Sequence, residues 1–213
     1  MTLETNKILG GLGAILLFIS ALPISSFMGV LGLIGAVLIL VSLYGLAGYY
    51  KEPKIFRNAL YGIITGIIGV VIAAIVIFVL LWASMQTLMY QLYPNWDGNP
   101  VSLSGFVPDA SAIQNMDINT ILALLVGFIG ILVIIWISAI IASIFVRRSL
   151  GYLSDKSSVG LFRTAGLLFL IGACLTIVFI GIILIWIAVL LLAIAFLQLK
   201  STEYVNYPPP PAY

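Results

Sequence analysis

The chain alternates long apolar runs with short polar connections, and one long polar stretch, 84–119, divides it into two very apolar halves. Ile8 to Gly48 is about forty residues without a charge. One helix of that length would extend about 60 Å, twice the roughly 30 Å of a bilayer's hydrocarbon. Two helices with a tight turn fit instead. Pro23, Ser25 and Ser26 supply that turn, because proline cannot continue a helix and serine caps the next one. Spans are therefore expected near 7–22 and 27–48, then at 59–82 with helix continuing towards Tyr90, and at 120–146. The run 161–199 is again too long for one crossing, and it divides near 161–177 and 181–199, with a turn at Thr176 to Gly181 that no proline marks.

The fold class this predicts is all-α: a polytopic integral membrane protein, a six-helix transmembrane bundle with one extracellular loop region of about 35 residues. Its parts are a first transmembrane half, 1–83, the extracellular segment 84–119, a second transmembrane half, 120–200, and a cytoplasmic proline-rich tail, 201–213. Composition agrees. The 213 residues are 63% hydrophobic and 8% charged, with a mean hydropathy of +1.26. Soluble domains are about a quarter charged, and a chain this poor in charge cannot cover a soluble surface. The first apolar run opens like a signal peptide, but no small-x-small cleavage site follows, so it is expected to remain as the first span.

The nine basic residues set the orientation. They fall at Lys7, in the second connection (Lys51, Lys54, Arg57), in the fourth (Arg147, Arg148, Lys156, Arg163) and at Lys200. The first, third and fifth connections hold none, so the positive-inside rule puts both termini in the cytoplasm of a cell-membrane protein. Lys51, Lys54, Arg57, Arg147 and Arg148 are candidate lipid headgroup contacts, although setting the topology is the simpler and favoured account of them. The two basic connections also resemble each other, Gly48-Tyr49 preceding Phe56-Arg57-Asn58-Ala59 and Gly151-Tyr152 preceding Phe162-Arg163-Thr164-Ala165. That pattern fits a parallel internal repeat and not an inverted one.

Gly62, Gly66, Gly69 and Ala73 leave one face of the third span bare, which lets another backbone approach closely. Packing within one bundle accounts for this stripe, and a homo-oligomer seam is the sharper alternative. Chemistry is harder to find. There is no histidine, a single cysteine, Cys174, and no ionisable side chain well inside any expected span, which disfavours pumps, ion-coupled carriers and voltage sensors. Ser20, Ser42, Thr65, Ser138, Ser143, Thr164 and Thr176 lie within spans, where bonding to their own helix carbonyls is the default. In the outer segment, Asp97, Asp109 and Asp117 suit turn and cap roles, and Asn95 to Asn99 lacks the spaced carboxylates of a calcium loop. No catalytic residue, metal ligand or cofactor is expected. The tail ends in four prolines, and Pro210-Pro211-Ala212-Tyr213 fits a PPxY docking ligand, with a plain spacer as the simpler reading.

The opening NKILGGLGAILLFI, the FRNALYG at the third span and the closing IAVLLLAIAFLQLK resemble the archaeal and bacterial multi-pass membrane proteins grouped as domain of unknown function 996. The resemblance implies a small polytopic membrane protein and carries over no site residue. The functional expectation is a non-enzymatic accessory or scaffold subunit of a larger membrane assembly. Its partners would be membrane lipids and other membrane subunits or copies of itself, with no nucleic acid. The alternative is a passive channel or carrier for a small neutral or hydrophobic solute.

Overall fold

A computed structural model describes residues 2–22, 28–93 and 118–200. Six α-helices and one short 3₁₀ turn account for the described elements, with no strand among the described residues. They are α1 (Leu3–Ser20), α2 (Met28–Tyr49), α3 (Lys54–Leu92), α4 (Ile118–Ser157), α5 (Leu161–Leu175) and α6 (Ile180–Leu197), with the 3₁₀ turn Thr176–Val178 before α6. All six are long and apolar enough to cross a membrane. The class is therefore all-helical with six apolar helices of spanning length, as the run lengths predict. Pro23, Ser25 and Ser26, the acidic residues of the outer segment and the proline tail lie outside the described residues.

Local chemistry explains where helices start and stop. Thr2 caps α1, its hydroxyl accepting from the Thr5 N–H at 3.2 Å, and Glu4 places negative charge at the positive end of the helix dipole. α2 ends in a Schellman motif. Lys51 takes a left-handed φ of 52°, its N–H bonds to the Gly48 carbonyl at 3.3 Å, and the Glu52 N–H bonds to the Ala47 carbonyl at 3.0 Å. Pro53 then sits immediately before α3, where its missing N–H costs nothing. α4 runs on through its charged residues to Ser157, and the left-handed Ser158, φ 59°, ends it. The turn into α6 uses a third left-handed residue, Phe179, φ 62°.

Two compact units divide the chain. The first comprises Met1–Ile64 and Ile140–Tyr213, the second Thr65–Ala139. In the first unit α1 packs against both α2 and α6, and α5 packs against α6. Glycine makes these contacts possible. A methyl on Gly13 would sit 2.7 Å from the Gly35 carbonyl oxygen, and one on Gly35 would sit 2.6 Å from that of Gly13, so the α1 and α2 backbones meet face to face. Gly10, one turn earlier, leaves room for the Phe196 ring of α6. At the other end of the same pair, Phe18 stacks on Trp186 with ring centres 4.4 Å apart, and the Trp186 indole donates to the Phe18 carbonyl at 3.2 Å. Between α5 and α6, Gly172 and Gly181 form a second mutual notch.

The buried core of this unit gathers at the helix ends that carry the basic residues. Leu46, Ile55, Leu153, Phe162 and Phe196 are all fully enclosed there, and the Phe162 and Phe196 rings meet edge to face at 5.2 Å. In the second unit α3 and α4 lie antiparallel, Gly69 facing Ser138 and Gly127 facing Leu80.

Helices in hydrocarbon gain nothing from excluding water, so these glycine contacts supply the packing that holds them together. Replacing Gly13 by leucine is expected to cost about 3 kcal/mol or more, because both neighbouring backbones would have to move. Gly48, which has nothing within 4 Å of an added methyl, is expected to gain about 0.5–1 kcal/mol on replacement by alanine. Reversible unfolding in mixed detergent micelles measures both.

Candidate functional site

The basic ends of the helices hold the polar features of the fold. The first is a buried polar knot between α1 and α2. Asn6 is fully buried, and its amide, wedged against Gly45, has no protein partner among the described residues. One turn along the contact, the Ser42 hydroxyl donates to the Asn6 backbone carbonyl at 2.6 Å. A second interhelical bond joins α4 to the start of α3, where the buried Ser149 hydroxyl donates to the Ile55 carbonyl at 2.6 Å. Ser154 ties α4 to the turn that follows it, donating to the Val159 carbonyl at 3.0 Å. Sequence reasoning passed over Asn6, Ser149 and Ser154. A lone asparagine one residue before Lys7 looks like part of a solvated leader, and the signal that would have marked it is Gly45, the notch it fills.

Beside this core lies a crevice of about 830 Å³ lined by Lys7, Tyr50, Lys156, Ser157 to Gly160, Leu197, Gln198 and Lys200. Its three lysines come from α1, the end of α4 and the end of α6. The carboxylate measured near them is that of Glu52, 4.0 Å from the Lys156 ammonium. Burial, and then the neighbouring Tyr49, push the Tyr50 hydroxyl above its ordinary pKa of 10.0, so it remains a neutral O–H at physiological pH.

The structure disperses the residues singled out in the sequence. On α3, Gly62 faces the Ala142 carbonyl and Val146 of α4, Gly69 faces Ser138, and Ala73 is 2% exposed, while Gly66 has nothing within 4 Å. Lys51 forms the α2 turn, and the Lys54 ammonium lies 5.5 Å from the centre of the Tyr152 ring. Arg57, Arg147 and Arg148 are exposed. Pro210, Pro211 and Tyr213 are outside the described residues. Of the hydroxyls within spans, those of Ser20, Ser138, Ser143, Thr164 and Thr176 donate to carbonyls three or four residues back in their own chain. Among the described residues, no group of three or more His, Cys, Asp or Glu side chains is placed to hold a metal ion.

The described residues form six apolar helices of spanning length packed through glycine, an architecture compatible with a membrane protein. The sequence pattern of the family described as protein of unknown function DUF996 matches residues 31–190, and the chain belongs to that family. It is also 30% identical over 199 residues to Uncharacterized protein MJ1644 of Methanocaldococcus jannaschii, covering 93% of this chain and 94% of that one. No solved structure matches it.

The two classes of hydroxyl bond should separate on mutation. A bond to the donor's own helix survives when the helices come apart, whereas one to another helix is lost. Ser42→Ala and Ser149→Ala are each expected to cost about 1 kcal/mol, and Ser143→Ala less than about 0.5 kcal/mol, in the same micellar unfolding assay.

Proposed function

We propose that the protein is a non-enzymatic multi-pass protein of the cell membrane, with both termini cytoplasmic, serving as an accessory or scaffold subunit of a larger membrane assembly. The observation that carries this reading is the bareness of the two longest helices. The apolar stretches of α3 and α4 are each 11% buried, against 28–39% for the other four helices. Both helices also present glycines with nothing within 4 Å, Gly66 on α3 and Gly130 on α4. Bare small residues on an exposed apolar helix are the surface on which a second apolar helix packs closely. The partner is therefore a membrane helix of another subunit or of a second copy. The passive-path alternative needs hydroxyls turned towards a shared lining, and five of the seven candidates instead donate to their own helices.

Support for the non-enzymatic reading comes from the side chains. Among the described residues the buried polar groups are one amide and a few hydroxyls held by backbone carbonyls, an arrangement that supplies neither a base nor an activated nucleophile.

Purification of the tagged chain in mild detergent is expected to recover a stoichiometric membrane partner or a fixed homo-oligomer. Gly66→Leu combined with Gly130→Leu is expected to reduce that recovery while leaving the chain folded, since a Cβ added at either position meets nothing within 4 Å. A monodisperse monomer from wild type, by light scattering with detergent contrast, contradicts the reading.

A further inference from the structure

We propose that the crevice between the ends of α1, α4 and α6 is a binding site for a phosphate-bearing anion, held by Lys7, Lys156 and Lys200. Lysines from distant parts of the chain, Lys7, Lys156 and Lys200, line one concavity, and the Glu52 carboxylate lies 4.0 Å from the Lys156 ammonium. Among the described residues the lining carries three lysines and no carboxylate. Like charges brought together on a folded surface repel, and an anion between them relieves that repulsion. Lysine suits the task as a compact point charge with three rotatable donors. Neighbouring basic side chains are engaged elsewhere: Arg163 bonds to Asp155 at 2.5 Å, and Lys54 lies over Tyr152.

The rest of the lining fits the same ligand. Tyr50 offers a neutral hydroxyl, and Gln198 an amide. α5, a helix of 15 residues, opens at Gly160 on the crevice wall without any side-chain cap, which adds the positive end of a helix dipole to the three lysines. Val159 and the half-exposed Leu197 make part of the wall apolar, and the crevice lies where α1, α4 and α6 leave their apolar stretches. Anionic phosphoryl oxygens are the shared chemistry, and they can come from a lipid headgroup or from free phosphate. The proposal stands independently of the scaffold reading, because a monomer has the whole crevice.

The test is equilibrium titration of the full chain in neutral detergent micelles with a fluorescent phosphatidic acid and, separately, with inorganic phosphate. Wild type is expected to bind saturably. Lys7→Gln with Lys200→Gln is expected to weaken binding about thirtyfold, the increment of two charges at a membrane surface. Two controls are expected to stay within about threefold of wild type: Arg163→Gln, whose guanidinium is already paired with Asp155, and the charge-conserving Lys7→Arg with Lys200→Arg. Should the double Gln variant fail to fold, Lys200→Gln alone, at an exposed position, carries the test with an expected loss of about fivefold. Displacement of the lipid by millimolar phosphate assigns the site to the free ion, and lipid binding indifferent to phosphate assigns it to the headgroup. Absence of saturable binding to either probe, or equal weakening by Arg163→Gln and Lys200→Gln, overturns the proposal.

Discussion

Close approach of helix backbones at glycine is the interaction on which the rest of this fold depends. Between apolar helices in hydrocarbon there is no water to expel, so attraction must come from dispersion and from hydrogen bonds at short range. Gly13 against Gly35 and Gly172 against Gly181 bring carbonyl oxygens to where a methyl group would otherwise stand. Gly10 does the same for the Phe196 ring, so α1 is held on two sides by α2 and α6. The Ser42 bond to the Asn6 carbonyl is available only because the two backbones are already so close.

The consequence is an uneven molecule. Packing is dense at the basic ends of the helices, where Leu46, Ile55, Leu153, Phe162 and Phe196 are enclosed, and sparse along the apolar stretches of α3 and α4. A protein that spent its small residues only on its own core would not leave Gly66 and Gly130 bare. The fold therefore has a densely packed end with a lysine-lined crevice, and long apolar faces on α3 and α4 that are little buried among the described residues.

Much of this was legible in the sequence, because hydropathy and charge act over whole segments. The apolar runs 8–48 and 161–199 are each too long for one crossing, and six apolar helices of spanning length follow. The family resemblance was legible too, through the glycine-and-aliphatic patterns that now prove to be packing faces. What could not be read were features made by residues far apart in the chain. Asn6 means little until Gly45 is opposite it, and Lys7, Lys156 and Lys200 look like topology markers until three helix ends bring them to one crevice. Lys51 shows the converse: a residue counted as a charge also closes α2 in the left-handed conformation.

We propose, from the positive-inside rule, that the packed end bearing the lysine-lined crevice faces the cytoplasm and that the opposite end, marked by the exposed Phe179 turn between α5 and α6, faces outward. The most direct measurement is labelling of single cysteines in a Cys174→Ser background with a membrane-impermeant maleimide. In intact cells, Phe179→Cys should label at once and Lys156→Cys only after permeabilisation. Labelling of Lys156→Cys from outside, or of both positions from the same side, would contradict the account.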